Sequence, residues 1–140
     1  LMLFYTALKR DASAILKSQE EQTDKKFNSL RKLQALVEPL RDVLSKGTDL
    51  NQFGEILHQG WILKRGLTDD ISSSAIDKYY KKARNAGAIG GKILGAGGGG
   101  FFLFYAPRSK QKQVKDALKG LYYLPVEFDS SGSRITYYDE

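Results

Sequence analysis

The apolar positions fall into short blocks whose period changes along the chain. Leu1-Met2-Leu3-Phe4-Tyr5-Thr6 is apolar from its first residue and reads as a strand cut from a longer chain. Asp11 stands where a helix N-cap belongs, and Ala12, Ile15, Leu16 and Gln19 follow on one helical face. Phe27, Leu30, Leu33, Val37, Leu40 and Leu44 recur at three- and four-residue steps, so the helix resumes or continues. Pro39 should kink or break it, and Gly47 should close it. Thr48 is the expected cap of the next helix, with Leu50, Phe53, Leu57 and Trp61 as its core stripe and Gly66 as its end. A polar connector, Thr68 to Ser74, leads to Ser74 and Asp77, which resemble a capping box, and then to the apolar face Ile76, Tyr79, Tyr80, Ala83, stopped by Gly87.

Ala88 to Leu94 reads as a strand interrupted by Gly90 and Gly91. Phe101-Phe102-Leu103-Phe104-Tyr105 is a continuous apolar run punctuated by Pro107, which reads as a buried strand. Arg108 to Lys119 is a basic amphipathic helix with Val114, Ala117 and Leu118 inward, closed by Gly120. Leu124, Val126 and Phe128 alternate, as do Ile135 and Tyr137, across a turn at 129–133. That pattern predicts a terminal hairpin, with Pro125 at an edge or a strand start. The sum is an α+β fold, a small antiparallel sheet with several packed helices, in a single domain over residues 1–140.

Composition narrows the chemistry. The chain has no cysteine, which excludes a thiolate metal site, and its one histidine, His58, has no visible partner constellation and speaks against a histidine-based triad or zinc site. Asp69-Asp70 lacks a third carboxylate nearby and reads as helix-start solvation, so no metal site is expected. No stretch has transmembrane length and no signal peptide is visible, which fits the cytoplasm and no membrane partner. Net charge is +6, compatible with nucleic acid, a membrane surface or anionic small substrates, although most cations are interleaved with acids on helical faces.

The densest signal is Lys92-Ile93-Leu94-Gly95-Ala96-Gly97-Gly98-Gly99-Gly100-Phe101. So many glycines in one loop imply unusual backbone angles or a very close neighbour, and bare backbone N–H groups suit phosphate. Gly95 to Gly100 satisfies G-x-G-x-x-G, but a strand rather than a helix follows, so the dinucleotide reading fails. The Walker reading fails as well, because Ile93 stands where Ser or Thr must hold magnesium.

This stretch resembles the third motif of the GHMP kinase superfamily, which includes galacto-, homoserine, mevalonate and phosphomevalonate kinases. Leu3-Phe4-Tyr5-Thr6 with Arg10 and Ala12, Trp61-Ile62-Leu63-Lys64-Arg65, and Ala83-Arg84-Asn85-Ala86-Gly87-Ala88 resemble the sugar-kinase branch acting on heptose 7-phosphate. The resemblance implies a ferredoxin-like C-terminal domain of a two-domain, ATP- and Mg2+-dependent sugar kinase. Its partner would be an N-terminal domain of the same chain, which carries the ATP loop and the catalytic residues; that loop is absent here. No catalytic residue, ATP or Mg2+ is therefore assigned to these residues alone, and the segment by itself should be inactive. Gly95, Ala96, Gly97, Gly98, Gly99 and Gly100 would line the cleft, where a side chain would take space needed by substrate or by the facing loop. Lys64 and Arg65 are candidates for the phosphate of a phosphorylated sugar, unless they merely complement their helix dipole. Of the two, Lys64 is nearer the buried stripe. The runner-up is a basic, non-catalytic nucleic-acid module, although the RNP pattern is absent and the glycines join two strands; a small-ligand sensor domain on the same fold is a third reading.

Overall fold

Four strands form one antiparallel sheet in the order β2-β3-β1-β4, where β1 is Met2–Tyr5, β2 Gly90–Ile93, β3 Phe101–Tyr105 and β4 Tyr122–Leu124. The computed structural model describes residues 1–47 and 49–139; Thr48, the expected helix cap, lies outside them. Five helices occupy the crossover from β1 to β2: α1 (Ala12–Glu21), α2 (Phe27–Ala35), α3 (Val37–Lys46), α4 (Asn51–Arg65) and α5 (Ser74–Asn85). A sixth, α6 (Arg108–Ala117), returns the chain from β3 to β4. This is the βαββαβ ferredoxin-like plan with extra helices inserted in its first crossover. Among the described residues no helix is long and apolar enough to cross a membrane.

The strands follow from their side chains. Met2, Phe4, Phe102, Phe104 and Ile93 share one sheet face, because Met2 opposes Phe104 while Phe4 and Ile93 both oppose Phe102. All five are buried, and Tyr80 of α5 with Val114 and Leu118 of the α6 end cover them. The rings of Phe102 and Phe104 stack at 5.0 Å and Phe104 meets Tyr80 at 5.7 Å. Trp61 of α4, fully buried, closes this core from the side at 6.0 Å from Tyr80.

Helix ends mostly match the sequence signals. Asp11 caps α1 through Ser13 and Ala14 N–H, and Gly47 ends α3 in the left-handed region at φ 59°. The break around Pro39 falls at Leu36–Val37, so Pro39 sits in the first turn of α3, where its missing N–H costs no helical bond. Two expectations are corrected. Ser73, not Ser74, caps α5, accepting from Ile76 N–H at 3.3 Å, while Asp77 takes hydrogen bonds from Ser72 and Arg65 instead of closing a box. The terminal hairpin does not form: β4 ends at Leu124, before Pro125, which has no N–H to continue the ladder. Phe128, Ile135 and Tyr137 are 77–86% exposed, and an alternating pattern with nothing to pack against does not hold a hairpin.

Helix α4 lies against β2 with almost nothing between them. A Cβ on Gly90 would strike the Gly54 carbonyl, and one on Gly54 would come within 2.7 Å of the Tyr105 ring and 2.9 Å of Ile89. Gly60, on the same helix, has only Leu36 at 3.6 Å. Alanine gains about 1 kcal/mol over glycine in a helix interior, whereas overpacking costs about 1–3 kcal/mol. Gly60→Ala should therefore raise the urea midpoint and Gly54→Ala should lower it; equal responses would mean the two glycines do not differ in packing.

Candidate functional site

The glycine loop connects β2 to β3 at one end of the sheet, and its conformation is built from left-handed backbone. Gly95, Gly97, Gly98, Gly99 and Gly100 have φ between 69° and 157°. Side-chain-bearing residues are strained in that region, and five such positions in six residues explain the composition without invoking a ligand. The loop is also packed. Gly97 would place a Cβ 2.8 Å from Ile71, Gly98 one 2.6 Å from Ile15, and Gly99 one 2.6 Å from the Leu8 carbonyl. At these three positions the clearance is filled by the domain's own atoms. At Gly95 and Gly100 a Cβ would meet the Arg10 guanidinium at 3.4 Å.

Neighbouring elements hold the loop by its carbonyls. Thr6 donates both its N–H (2.8 Å) and its hydroxyl (2.9 Å) to the Gly100 carbonyl. Gln19 of α1 donates to the Ala96 carbonyl at 3.0 Å, and Gly98 N–H donates to Ile71 at 2.8 Å. Lys64, in the last turn of α4, donates its ammonium to the Gly95 carbonyl. With these carbonyls engaged, the N–H groups of Gly95, Ala96, Gly97 and Gly99 have no hydrogen-bond partner among the described residues. Just before α1, Ala7 is left-handed at φ 54°, an unusual angle for alanine, and this turn carries the chain from Thr6 towards Arg10.

The electrostatics is one-signed. Burial first, then repulsion from Lys92 and Arg10, together lower the Lys64 amine to about 8. Arg10 Nη1 is shielded from solvent and unpartnered among the described residues. A cluster of three cations beside unpaired backbone N–H groups suits an anion, phosphate above all, and not a metal ion. Among the described residues no group of three His, Asp or Glu side chains could hold a metal.

The two candidates at the end of α4 part company. Lys64 turns to the loop, whereas Arg65 turns to α5 and pairs with Asp77 at 2.9 Å. Arg10 and Lys92 were legible in the sequence only as parts of longer motifs, and nothing in their spacing announced that they converge on Lys64. His58 belongs to a different region: its Nδ1 lies 2.7 Å from the Tyr80 hydroxyl and its ring stacks on Tyr80. Burial, then Arg84 and Arg65, lower its pKa, so it is a neutral packing partner at pH 7. The Tyr80 hydroxyl is pushed up to about 12 by burial and stays protonated.

Gly98→Val combines a left-handed β-branched residue with a contact against Ile15. The two penalties together should cost about 2–4 kcal/mol. A substitution at a mere linker would leave the urea midpoint unchanged; a large fall is expected here.

The sequence family described as GHMP kinases, C terminal, matches residues 33–124. The D-glycero-alpha-D-manno-heptose 7-phosphate kinase of Campylobacter jejuni is 28% identical over 123 residues, covering 84% of this chain and 35% of that protein. The mevalonate kinase of Pyrococcus furiosus is 33% identical over 107 residues, covering 75% of this chain and 32% of that protein. The crystal structure of L. major mevalonate kinase with R-mevalonate superposes with a TM-score of 0.73 at 19% identity, over 87% of this chain and 40% of that one. The chain thus spans about a third of the length of these curated relatives. With the fold and the family match in agreement, this chain belongs to the GHMP kinases and carries their C-terminal domain.

Proposed function

We propose that this chain is the C-terminal domain of a cytoplasmic, ATP-dependent sugar kinase whose substrate already carries a phosphate, as heptose 7-phosphate does. In this reading the loop from Gly95 to Gly100 lines the cleft, and Lys64 with Arg10 holds the substrate's phosphate. The observation that carries it is the aim of Lys64, whose ammonium leaves its own helix and reaches the loop beside two further cations. Three like charges gathered around unpaired N–H groups are costly without an anion and favourable with one. The similarity to a heptose 7-phosphate kinase supports a phosphate as that anion. The similarity to mevalonate kinases supports a second reading, in which the same cations take a carboxylate. ATP and Mg2+ are assigned to the N-terminal domain, since phosphoryl transfer needs a phosphate loop and carboxylate ligands of its own.

Steady-state kinetics of the full-length enzyme separates these readings. Losing one charge-assisted contact costs about 1.5–3 kcal/mol, so Lys64→Ala should raise KM for the phosphorylated sugar by roughly 10- to 150-fold and leave KM for ATP unchanged. Arg65→Ala removes a half-exposed ion pair and should cost about 1 kcal/mol of stability or less, with KM unchanged. Preference for mevalonate over heptose 7-phosphate would select the carboxylate reading, and an unchanged KM in Lys64→Ala would remove the clamp.

The pH dependence has a fixed sign. The folded amine of Lys64 titrates near 8, below its ordinary value of 10.5, so the unfolded chain binds more protons between those values. Stability should rise as pH climbs through that window in the wild type, and this increment should be missing in Lys64→Met. An anion binds the charged form, so KM for the phosphorylated sugar should climb above pH 8. The 140-residue chain alone, incubated with ATP, Mg2+ and heptose 7-phosphate, should show no turnover above a blank.

A further inference from the structure

Helix α1 is held to the domain at few points. Only Ile15 of its residues is buried; Ser18 and Gln19 are half-buried and the others face solvent. Leu16, which could have made a second apolar contact, is 55% exposed. The chain on either side is better anchored, since Leu8 and Leu30 both pack against the core. Between α1 and the connection from α4 to α5 lies a polar cleft of about 380 Å³. Ser18, Gln22 and Lys26 line it from the α1 end, and Thr68, Asp69 and Asp70 from the connection. A helix this short has little stability of its own, and a polar cleft beside it adds little packing. Elements with so few apolar contacts open locally at low cost.

What α1 does touch is the glycine loop. Ile15 lies against Gly98, and Gln19 donates to the Ala96 carbonyl at 3.0 Å. Arg10, one residue before the Asp11 cap, lies against Gly95 and Gly100. The other main neighbour of α1 is the turn Asp69–Ile71, itself tied to the loop by the Gly98 N–H on the Ile71 carbonyl. Arg10 makes no ion pair among the described residues and stands with Lys92 beside Lys64. Laying α1 on the loop therefore brings a third positive charge to a place that already holds two. With the site empty that approach is repulsive and opposes the Ile15 and Gln19 contacts. With an anion seated there the same approach becomes attractive, and this difference between occupied and empty is what lets a ligand shift an equilibrium.

We infer that residues 9–26 form a strap across the glycine loop, hinged after Leu8 and at the turn 22–26, which an anion among Lys64, Lys92 and Arg10 draws shut; this rests on reading that cluster as the seat of the substrate's phosphate. The site is then completed by its own substrate, because Arg10 arrives with α1 instead of waiting in place. Gln19 is a positioning residue, the latch that holds the shut strap to Ala96. The competing account is a fixed buttress that shapes the loop whether or not an anion is present. A permanent support would rest on apolar contacts, and the single anchor at Ile15 beside a polar cleft favours the strap.

Hydrogen–deuterium exchange of the full-length polypeptide reads the strap directly, with α1 compared against α5 in the same sample. In sodium chloride alone α1 should exchange freely. Heptose 7-phosphate at equal ionic strength should slow α1 by about tenfold and leave α5 unchanged. Inorganic phosphate, the second probe, should act in the same direction. Arg10→Gln removes the charge that the anion draws in, so neither probe should slow α1 in that variant, while α5 reports that it is folded. Gln19→Leu keeps Arg10 and loses the latch, so the slowing should shrink to roughly threefold or less. Slow exchange of α1 before any anion is added would make it a fixed buttress and overturn the strap. Equal slowing by sodium chloride, or undiminished slowing in Arg10→Gln, would overturn it too. Turnover of heptose 7-phosphate is scored separately in the same samples. Turnover with α1 unaffected removes the strap and keeps the substrate reading, and slowing by inorganic phosphate without turnover does the reverse.

Discussion

The rest of the domain depends on one backbone contact, the place where α4 meets β2 at Gly54 and Gly90. No side chain separates the helix from the strand there. From that point helix and strand advance side by side. Ten helical residues, Gly54 to Lys64, climb about 15 Å. The five steps from Gly90 to Gly95, through β2 and into the loop, cover about 16 Å at strand rise. The two run out together, and the far ends meet again as Lys64 ammonium on Gly95 carbonyl. A wider separation at the near end would tilt the helix and carry the cation off the loop. Trp61 and its contact with Tyr80 depend on the same alignment.

The glycine loop shows two causes acting on one sequence. Its inner glycines are required by the protein, because Ile71, Ile15 and Leu8 leave no room for a Cβ. Its outer ones, Gly95 and Gly100, keep the space near Arg10 clear. The carbonyls of Gly100, Ala96 and Gly95 are tied down by Thr6, Gln19 and Lys64, and the amides of Gly95, Ala96, Gly97 and Gly99 remain to be offered. A loop fixed through one set of its polar groups presents the other set in a defined geometry, which lowers the entropy cost of binding.

Much of this was legible in the sequence, and the exceptions have physical reasons. The three- and four-residue spacing marked the helices, most plainly where it records a buried stripe, as with Leu57 and Trp61 of α4 and Ile76, Tyr80 and Ala83 of α5, and the apolar run marked β3. Adjacent residues on a helix diverge by about 100°, which is why Lys64 and Arg65 could not share a target. Alternation at 124–128 and 135–137 could not tell a hairpin from a segment without a sheet beneath it, because the pattern records what the side chains need and not whether it is present. Adjacent serines at 72, 73 and 74 left the cap of α5 undetermined, since each could offer a hydroxyl. The contact of Gly54 with β2 joins residues far apart in sequence, and a lone helical glycine carries no sign of what it approaches. The same holds for Arg10, whose meeting with Lys64 and Lys92 exists only after folding.

A lysine that titrates near 8 is also a chemically distinct amine. At pH 7.5 about a quarter of such side chains are free bases, against roughly one in a thousand for an ordinary lysine. Acylating reagents attack the free base, so at limiting reagent Lys64 should acquire the label well before the other lysines on the surface. An anion bound among these cations would draw a proton back onto it and quench that reactivity. The fold therefore contains its own occupancy reporter, readable by mass without a dye or an engineered residue.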